Sequence, residues 1–85
     1  MPRTTPEALS ERILTYLRSG LGIEDDLTPD SPLITSGIVD SAALMRLAAF
    51  VERETGSTIP DPDVNVGHFD TVRQIVEYTA TRSAG

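Results

Sequence analysis

The sequence contains no cysteine, no lysine and no tryptophan. Without cysteine, neither a disulfide nor a thiolate metal cluster can hold the 85-residue chain together. The only aromatic residues are two tyrosines and two phenylalanines, which leaves leucine, isoleucine and valine to form the core. The length predicts a single domain over residues 1–85, with an ordered core over about residues 6–81 and short flexible termini.

Positive charge is also scarce: the chain has seven arginines and thirteen acidic residues, and its formal net charge is −6. An acidic chain is repelled by nucleic acid and by anionic membranes, so we expect neither as a partner. No apolar run approaches the roughly 20 residues that a membrane-spanning helix needs, and no signal-peptide core is visible. We therefore expect a cytoplasmic location.

Apolar residues recur at helical spacing in several segments, and no pair of strands is indicated. The first predicted helix covers Pro6–Ser19, with Thr5 as its cap and Gly20 and Gly22 as its terminators. A second begins at Asp40 and Ser41 and ends at Gly56. The predicted buried stripes of these two helices are Leu9, Ile13, Tyr16 and Leu17, and then Leu44, Leu47, Ala48 and Val51.

Two more helices are predicted in the last third of the chain. A short one over residues 61–66 is opened by Pro62 and bounded by Gly67, and a longer one covers residues 70–81. The inward-facing residues of the last helix are expected to be Val72, Ile75, Val76 and Thr79. The predicted fold class is therefore all-α, a small bundle of three main helices and one short helix.

A long loop, residues 20–40, joins the first two helices and carries an acidic patch. Loops longer than about 12–15 residues are uncommon in compact domains and are often functional. This one contains apolar residues that can reach the core, so we expect it to be packed rather than a free linker. These anchors are Leu27, Leu33, Ile34, Ile38 and Val39.

The segment that ends this loop contains Gly37, Asp40 and Ser41. Gly37 permits a tight turn, and Asp40 with Ser41 opens a helix. Considered only as residue types, Asp and Ser here are helix-capping residues, a role worth about 1 kcal/mol. A serine at this place is exposed, and a phosphodiester on its oxygen would be favoured by the helix dipole.

This segment resembles the attachment site of the acyl and peptidyl carrier protein family, and the resemblance covers about residues 7–80. The pattern Gly37-x-x-Asp40-Ser41 is similar to the place where that family attaches 4′-phosphopantetheine to a serine. A second similar stretch follows downstream. It reads Ile59-Pro60-Asp61 with Val64, and then Phe69-x-Thr71-Val72-x-x-Ile75.

The resemblance implies a carrier and not an enzyme. Ser41 would hold the arm, Asp40 would cap the helix and help a phosphopantetheinyl transferase to dock, and Gly37 would form the turn. The transferase would use Mg²⁺ and coenzyme A, and the arm's thiol would hold acyl or aminoacyl cargo as a thioester. Other implied partners are a loading ligase or acyltransferase and tailoring or condensing enzymes. Members of the family are usually monomers.

The sequence departs from the family pattern on the second helix. Ala42 follows the serine where the family usually has Leu or Ile, and the outer face carries arginines where fatty-acid carriers are acidic. We expect this face to contact partners through Ala42, Met45, Arg46, Ala49 and Arg53. The arginines on this face favour a secondary-metabolite system of polyketide or nonribosomal peptide type over a fatty-acid synthase. They leave open whether the cargo is an amino acid, an aryl acid, a malonyl-derived chain or a fatty acid.

Several alternatives are weaker. A serine hydrolase needs a base near Ser41, and the only histidine, His68, is expected in an exposed loop. The run Asp61-x-Asp63-x-Asn65 begins like a calcium loop, but its glycine comes one position late and its twelfth position is Val72, so we expect no metal site. Leu33, Ile38, Leu44 and Val64 are expected to be core rather than a cargo cleft. The main alternative is an unmodified carrier-like adaptor for protein interactions.

Overall fold

A computed structural model describes residues 5–83, and those residues form helices and turns with no strand. The α-helices are α1 (Pro6–Ser19), α2 (Ser41–Thr55), α3 (Val66–Phe69) and α4 (Val72–Ser83). A 3₁₀ turn, Asp61–Asp63, lies between α2 and α3. The structure confirms the predicted all-α bundle of three main helices and one short helix, with a long loop between the first two.

The ends of α1 and α2 are set by local residues, as the sequence predicts. The Thr5 hydroxyl accepts a hydrogen bond from the Ala8 amide at 3.1 Å, and Pro6 occupies the first turn, where its missing N–H is not needed. Helix α2 ends at Gly56, which has φ +73° in the left-handed region. Local capping therefore accounts for both boundaries.

Apolar stripes from α1, α2 and α4 meet with the long loop in one core. Helix α1 packs against both α2 and α4, while α3 packs against α4. Phe69, at the end of α3, is fully buried and is the largest side chain in this core. The other buried apolar residues are Leu9, Ile13, Leu17, Leu33, Val39, Leu47, Ala48, Val51, Ile59, Val72 and Ile75.

Most of the predicted core positions are confirmed, including the buried Thr79, whose hydroxyl donates to the Val76 carbonyl at 3.0 Å. Leu44 and Val76 are only half-buried. The predicted loop anchors also pack as expected. Leu33 and Val39 are buried, while Leu27, Ile34 and Ile38 are half-buried against the core.

The short helix lies later in the chain than predicted. The segment that contains Pro62 forms only a 3₁₀ turn, and Gly67 lies inside α3 instead of ending it. The reason is a side-chain cap: Asn65 Oδ1 accepts from the His68 amide at 3.1 Å and starts the helix there. The predicted helix over residues 61–66 was therefore wrong in position.

His68 does not lie in an exposed loop, as the sequence suggested. It belongs to α3 and is half-buried. Its Nδ1 lies 3.1 Å from the carbonyl oxygen of Asp63, and its ring lies 4.6 Å from that of Tyr78. Aromatic packing against α4, which the sequence pattern does not reveal, accounts for this burial.

Helix α4 also begins later than predicted, at Val72 rather than Asp70. The Thr71 hydroxyl accepts from the Gln74 amide at 3.0 Å, and the Gln74 side-chain oxygen accepts from the Thr71 amide at 2.9 Å. This reciprocal pair is a capping box. The helix continues to Ser83, past the predicted end at Thr81. The predicted flexible termini otherwise fall on residues 1–4 and 84–85, outside the described residues.

A surface seam joins α1 to α2. The Tyr16 and Phe50 rings are stacked at 4.2 Å with an interplanar angle of 10°, and Tyr16 is half-buried rather than core. Beside them Arg12 forms a bidentate ion pair with Glu54. The Tyr16 ring also covers Gly20, where an added Cβ would lie 2.5 Å from two ring carbons. Gly20 has φ −81°, so it is required here for space and not for conformation.

We therefore predict that Gly20→Ala destabilises the fold by about 1–3 kcal/mol, because the ring cannot move away without leaving Phe50. Urea unfolding measures this loss, with Ser19→Ala as an exposed control expected within about 0.5 kcal/mol of the parent. In a Tyr16→Leu background the part of the penalty caused by the ring should disappear, whereas the part caused by the Tyr16 carbonyl oxygen, 2.9 Å from the added Cβ, should remain. An unchanged penalty in that background would show that the ring is not the obstacle.

Candidate functional site

Ser41 is the first residue of α2 and is exposed to solvent. Asp40 caps the helix: its Oδ1 accepts from the Ala43 amide at 2.8 Å, and its carbonyl accepts from the Leu44 amide at 2.8 Å. The first turn of α2 contains no acidic residue. The Asp40 carboxylate already binds the Ala43 amide, so an anion on Ser41 would share the remaining partial positive charge of the helix N-terminus.

The turn before α2 depends on Gly37, which has φ +83° in the left-handed region that favours glycine. Its amide donates to the Ile34 carbonyl at 3.0 Å and closes the turn. Two residues later Val39 is buried, and its amide donates to the Leu33 carbonyl at 3.0 Å. The predicted turn and apolar anchor are both present, and together they lead the chain into Asp40 and Ser41.

Asp70, which is distant in sequence, also binds the loop. Its Oδ1 accepts from the Ile34 and Thr35 amides at 2.8 and 2.9 Å, and its Oδ2 accepts from the Thr35 hydroxyl at 3.0 Å. The Asp70 carbonyl accepts from the Leu33 amide at 2.6 Å. We call this set of four hydrogen bonds the Asp70 clamp.

The clamp perturbs the ionisation of Asp70. The Thr35 amide is the largest cause that lowers the pKa of this carboxyl group, followed by the Thr35 hydroxyl and the other loop amides, while desolvation opposes them. The ionised form is therefore the one that the loop binds. Sequence reasoning missed Asp70 because it placed the residue in the last helix. The Thr71-x-x-Gln74 spacing is the pattern that would have placed it outside.

A second link joins the loop to α4. Arg73 forms a bidentate ion pair with Asp30, at 2.6 and 2.9 Å, and its amide donates to the Pro29 carbonyl at 2.9 Å. The hydrogen bond to Arg73 lowers the pKa of Asp30. Asp30 thus has a structural partner, although it is exposed to solvent like the neighbouring acids Glu24, Asp25 and Asp26.

The outer face of α2 is exposed at all of the residues expected to contact partners. Met45 is 51% exposed, which is unusual for a large apolar side chain and leaves it free of the core. The other exposed residues of this face are Ala42, Arg46, Ala49 and Arg53. A contact role for these residues stays a prediction.

Two glutamates that flank this face form contacts within the molecule. Glu52 Oε2 accepts from the Ile59 amide at 2.6 Å, and Glu54 pairs with Arg12 of α1. The hydrogen bond from Arg12 is the largest cause that lowers the pKa of Glu54. Glu52 and Glu54 are half-buried, so the exposed charged side chains on this face of α2 are Arg46 and Arg53.

The four apolar residues considered for a cargo cleft pack as core, as expected. Leu33 is fully buried, while Ile38, Leu44 and Val64 are half-buried against the core cluster. A separate open groove lies along α1, beside the stacked Tyr16 and Phe50 rings. Among residues 5–83, no group of three or more His, Cys, Asp or Glu side chains could hold a metal ion. No helix in that range is long and apolar enough to span a membrane.

Comparison with protein families gives one match over most of the chain. The family model described as a phosphopantetheine attachment site matches residues 11–79. The matched region runs from α1 to α4 and includes Gly37, Asp40, Ser41 and Asp70. A comparison with curated proteins finds no match.

We predict that stability falls in acid, since the pKa values of Asp30, Glu54 and Asp70 are all lowered in the folded protein. A group with a lowered folded-state pKa stabilises fully above its unfolded pKa and loses that contribution as the pH falls through the folded-state value. Urea unfolding should therefore give a nearly constant free energy down to about pH 5 and a decline below it. Asp70→Asn, which cannot titrate, should decline less steeply, and an equal decline would contradict a role for Asp70.

Proposed function

The chain belongs to the acyl and peptidyl carrier protein family, whose domain is the attachment site of covalent 4′-phosphopantetheine, and we propose that Ser41 is the residue that holds this arm. The family assignment rests on the match over residues 11–79. Carrier domains of this family interact with phosphopantetheinyl transferases and biosynthetic enzymes, and they are generally not catalytic. We likewise propose that this chain carries a substrate and does not transform it.

The observation that carries the assignment of Ser41 is its place in the structure. It is an exposed serine at the N-terminus of α2, and it follows Gly37 and Asp40 at the spacing of the family's attachment segment. A phosphodiester at this place would lie in the favourable field of the helix N-terminus. The surrounding residues therefore fit the group in charge and in access.

Attachment requires no activating base in this chain. In the proposed step a bond forms between Ser41 Oγ and the phosphorus of the pantetheine-bearing phosphate of coenzyme A. The pyrophosphate P–O bond breaks, the adenosine bisphosphate half leaves, and the serine proton passes to a base of the transferase. His68 is not needed, and it is already packed against Asp63 and Tyr78. When bound, the arm supplies a terminal thiol that holds acyl or aminoacyl cargo as a thioester.

The mechanism we propose for the chain is tethering. An arm fixed at one exposed point converts a diffusing substrate into one held at a high effective concentration near each partner's active site. The chain contributes a rigid base for the arm, and the loading ligase or acyltransferase and the tailoring or condensing enzymes contribute the chemistry. A cytoplasmic location, a monomeric state and a single domain over residues 1–85 stay predictions.

We further propose that this carrier serves secondary-metabolite biosynthesis, of polyketide or nonribosomal peptide type. Support comes from the outer face of α2, where Arg46 and Arg53 are exposed between alanines while Glu52 and Glu54 bind elsewhere in the molecule. An acidic partner surface is the complement of this face. This differs from the acidic face expected of a fatty-acid carrier.

The direct test of the carrier function is the intact mass of the protein after incubation with coenzyme A, Mg²⁺ and a broad-specificity phosphopantetheinyl transferase. We expect the parent to gain the mass of one phosphopantetheine and Ser41→Ala to gain none. Circular dichroism of both proteins shows that they are folded. No gain in a folded parent would support the alternative, an unmodified adaptor, and a gain in Ser41→Ala would place the arm elsewhere.

The partner face is tested by charge reversal. The double variant Arg46→Glu, Arg53→Glu should reduce kcat/KM for loading by its own ligase roughly tenfold, because rim charges steer association. Modification at Ser41 should stay largely intact. Arg18→Glu, at an exposed position on α1, is the control for a general charge effect.

Each other outcome of this experiment has a clear meaning. Equal loss of loading and of Ser41 modification would indicate damage to α2 itself. No loss in either reaction would show that the face is ordinary surface and would remove the argument for an acidic partner.

A further inference from the structure

We infer that Asp70 is a positioning residue for Ser41: the Asp70 clamp fixes the part of the long loop that leads into α2 and so presents the serine to the modifying enzyme. The inference rests on the proposed function of Ser41. It concerns a residue that does not touch the attachment site and that acts through the backbone of the loop.

The clamp consists of several hydrogen bonds to one charged residue. One ionised carboxylate accepts from two successive backbone amides and from the Thr35 hydroxyl, all within 3.0 Å. Hydrogen bonds to a charged acceptor are roughly twice as strong as those between neutral groups. Because the Asp70 backbone carbonyl also binds the Leu33 amide, three consecutive loop residues are fixed by one residue.

Hydrogen bonds connect the clamp to Val39, two residues before Ser41. The carbonyl of Leu33 accepts from the Val39 amide at 3.0 Å, and Val39 directly precedes the helix cap Asp40. Between them the Gly37 amide donates to the Ile34 carbonyl at 3.0 Å. The residues that Asp70 holds are thus the same ones that hold the approach to α2.

Apolar burial alone would not fix this approach. Leu33 and Val39 anchor the two ends of the segment in the core, but burial is not directional and does not set the path of the backbone between them. Thr35, Ser36 and Gly37 are exposed. The Ser36 hydroxyl donates to the Pro32 carbonyl at 2.6 Å, which is a contact within the loop. Asp70 supplies a directional contact to residues 33–35 of this segment from outside the loop.

Asp70 is available for this role because α4 does not need it as a cap. Thr71 and Gln74 form the reciprocal capping box at the start of that helix. The Asp70 carboxylate is therefore left to face the loop. Because Asp70 lies just before the capping box, it connects the start of α4 to the turn at Gly37 that precedes Ser41.

The test compares the parent with Asp70→Ala, Asp70→Asn and Ile13→Val in the phosphopantetheinyl transferase reaction. Asp70→Ala should raise KM for the carrier roughly three- to tenfold with a smaller change in kcat, because only a fraction of molecules would then present the loop correctly. Asp70→Asn keeps an oxygen that accepts from both amides, so its KM should stay within about twofold of the parent value.

Hydrogen exchange gives a readout that does not depend on the transferase. The Val39 and Gly37 amides should exchange at least about tenfold faster in Asp70→Ala, a larger increase than that of amides in the middle of α1, which report on global unfolding. Ile13→Val removes a buried carbon from α1 and is the control for general destabilisation. It should leave KM unchanged and should not speed the loop amides more than the amides of α1.

The outcomes separate this inference from the proposed function. An unmodified parent would overturn the proposed function and, with it, the positioning role. A modified parent together with an unchanged KM and unchanged loop exchange in Asp70→Ala would overturn the positioning role alone. The same holds if Ile13→Val changes KM as much as Asp70→Ala, since the effect would then reflect stability rather than position.

Discussion

The contact between the Asp70 carboxylate and the backbone at Ile34 and Thr35 is the constraint on which the placement of Ser41 depends. A loop between α1 and α2 has many ways to cross the bundle, and its apolar residues need only reach the core. The carboxylate selects one path, because two amides and a hydroxyl must converge on it. The start of α4 and the start of α2 are thereby tied together, although a long stretch of chain separates them.

The charged residues of this acidic chain divide into two groups with different consequences. Asp30, Glu52, Glu54 and Asp70 each bind a defined partner in another part of the fold. Their negative charge is partly used in holding elements together. The outer face of α2 keeps its arginines exposed, so the charge of this face differs in sign from the net charge of the chain. A partner that binds this face would meet its positive charge first.

The sequence identified much of the fold because several boundaries are encoded locally. Thr5 and Asp40 cap α1 and α2 from adjacent positions, and the spacing of Leu9, Ile13 and Leu17 marks the buried side of α1. The short helix was misplaced because Pro62 and Gly67 were given more weight than the Asn65 cap. His68 was misjudged because its burial depends on Tyr78 of α4, a contact that no local pattern contains.

By itself, the sequence determined the helical class, the turn at Gly37 and the candidate attachment residue Ser41, since each depends on neighbouring residues or on a short recognisable segment. Only the tertiary structure decided what Asp70 does, which glutamates beside the outer face of α2 bind other parts of the fold, and why position 20 is a glycine. These features depend on residues distant in sequence that meet in space: Asp70 with Thr35, Glu54 with Arg12, and Gly20 with a Tyr16 ring held by Phe50. Directional hydrogen bonds and steric contacts determine these pairings, and the periodicity of residues along the chain does not predict them.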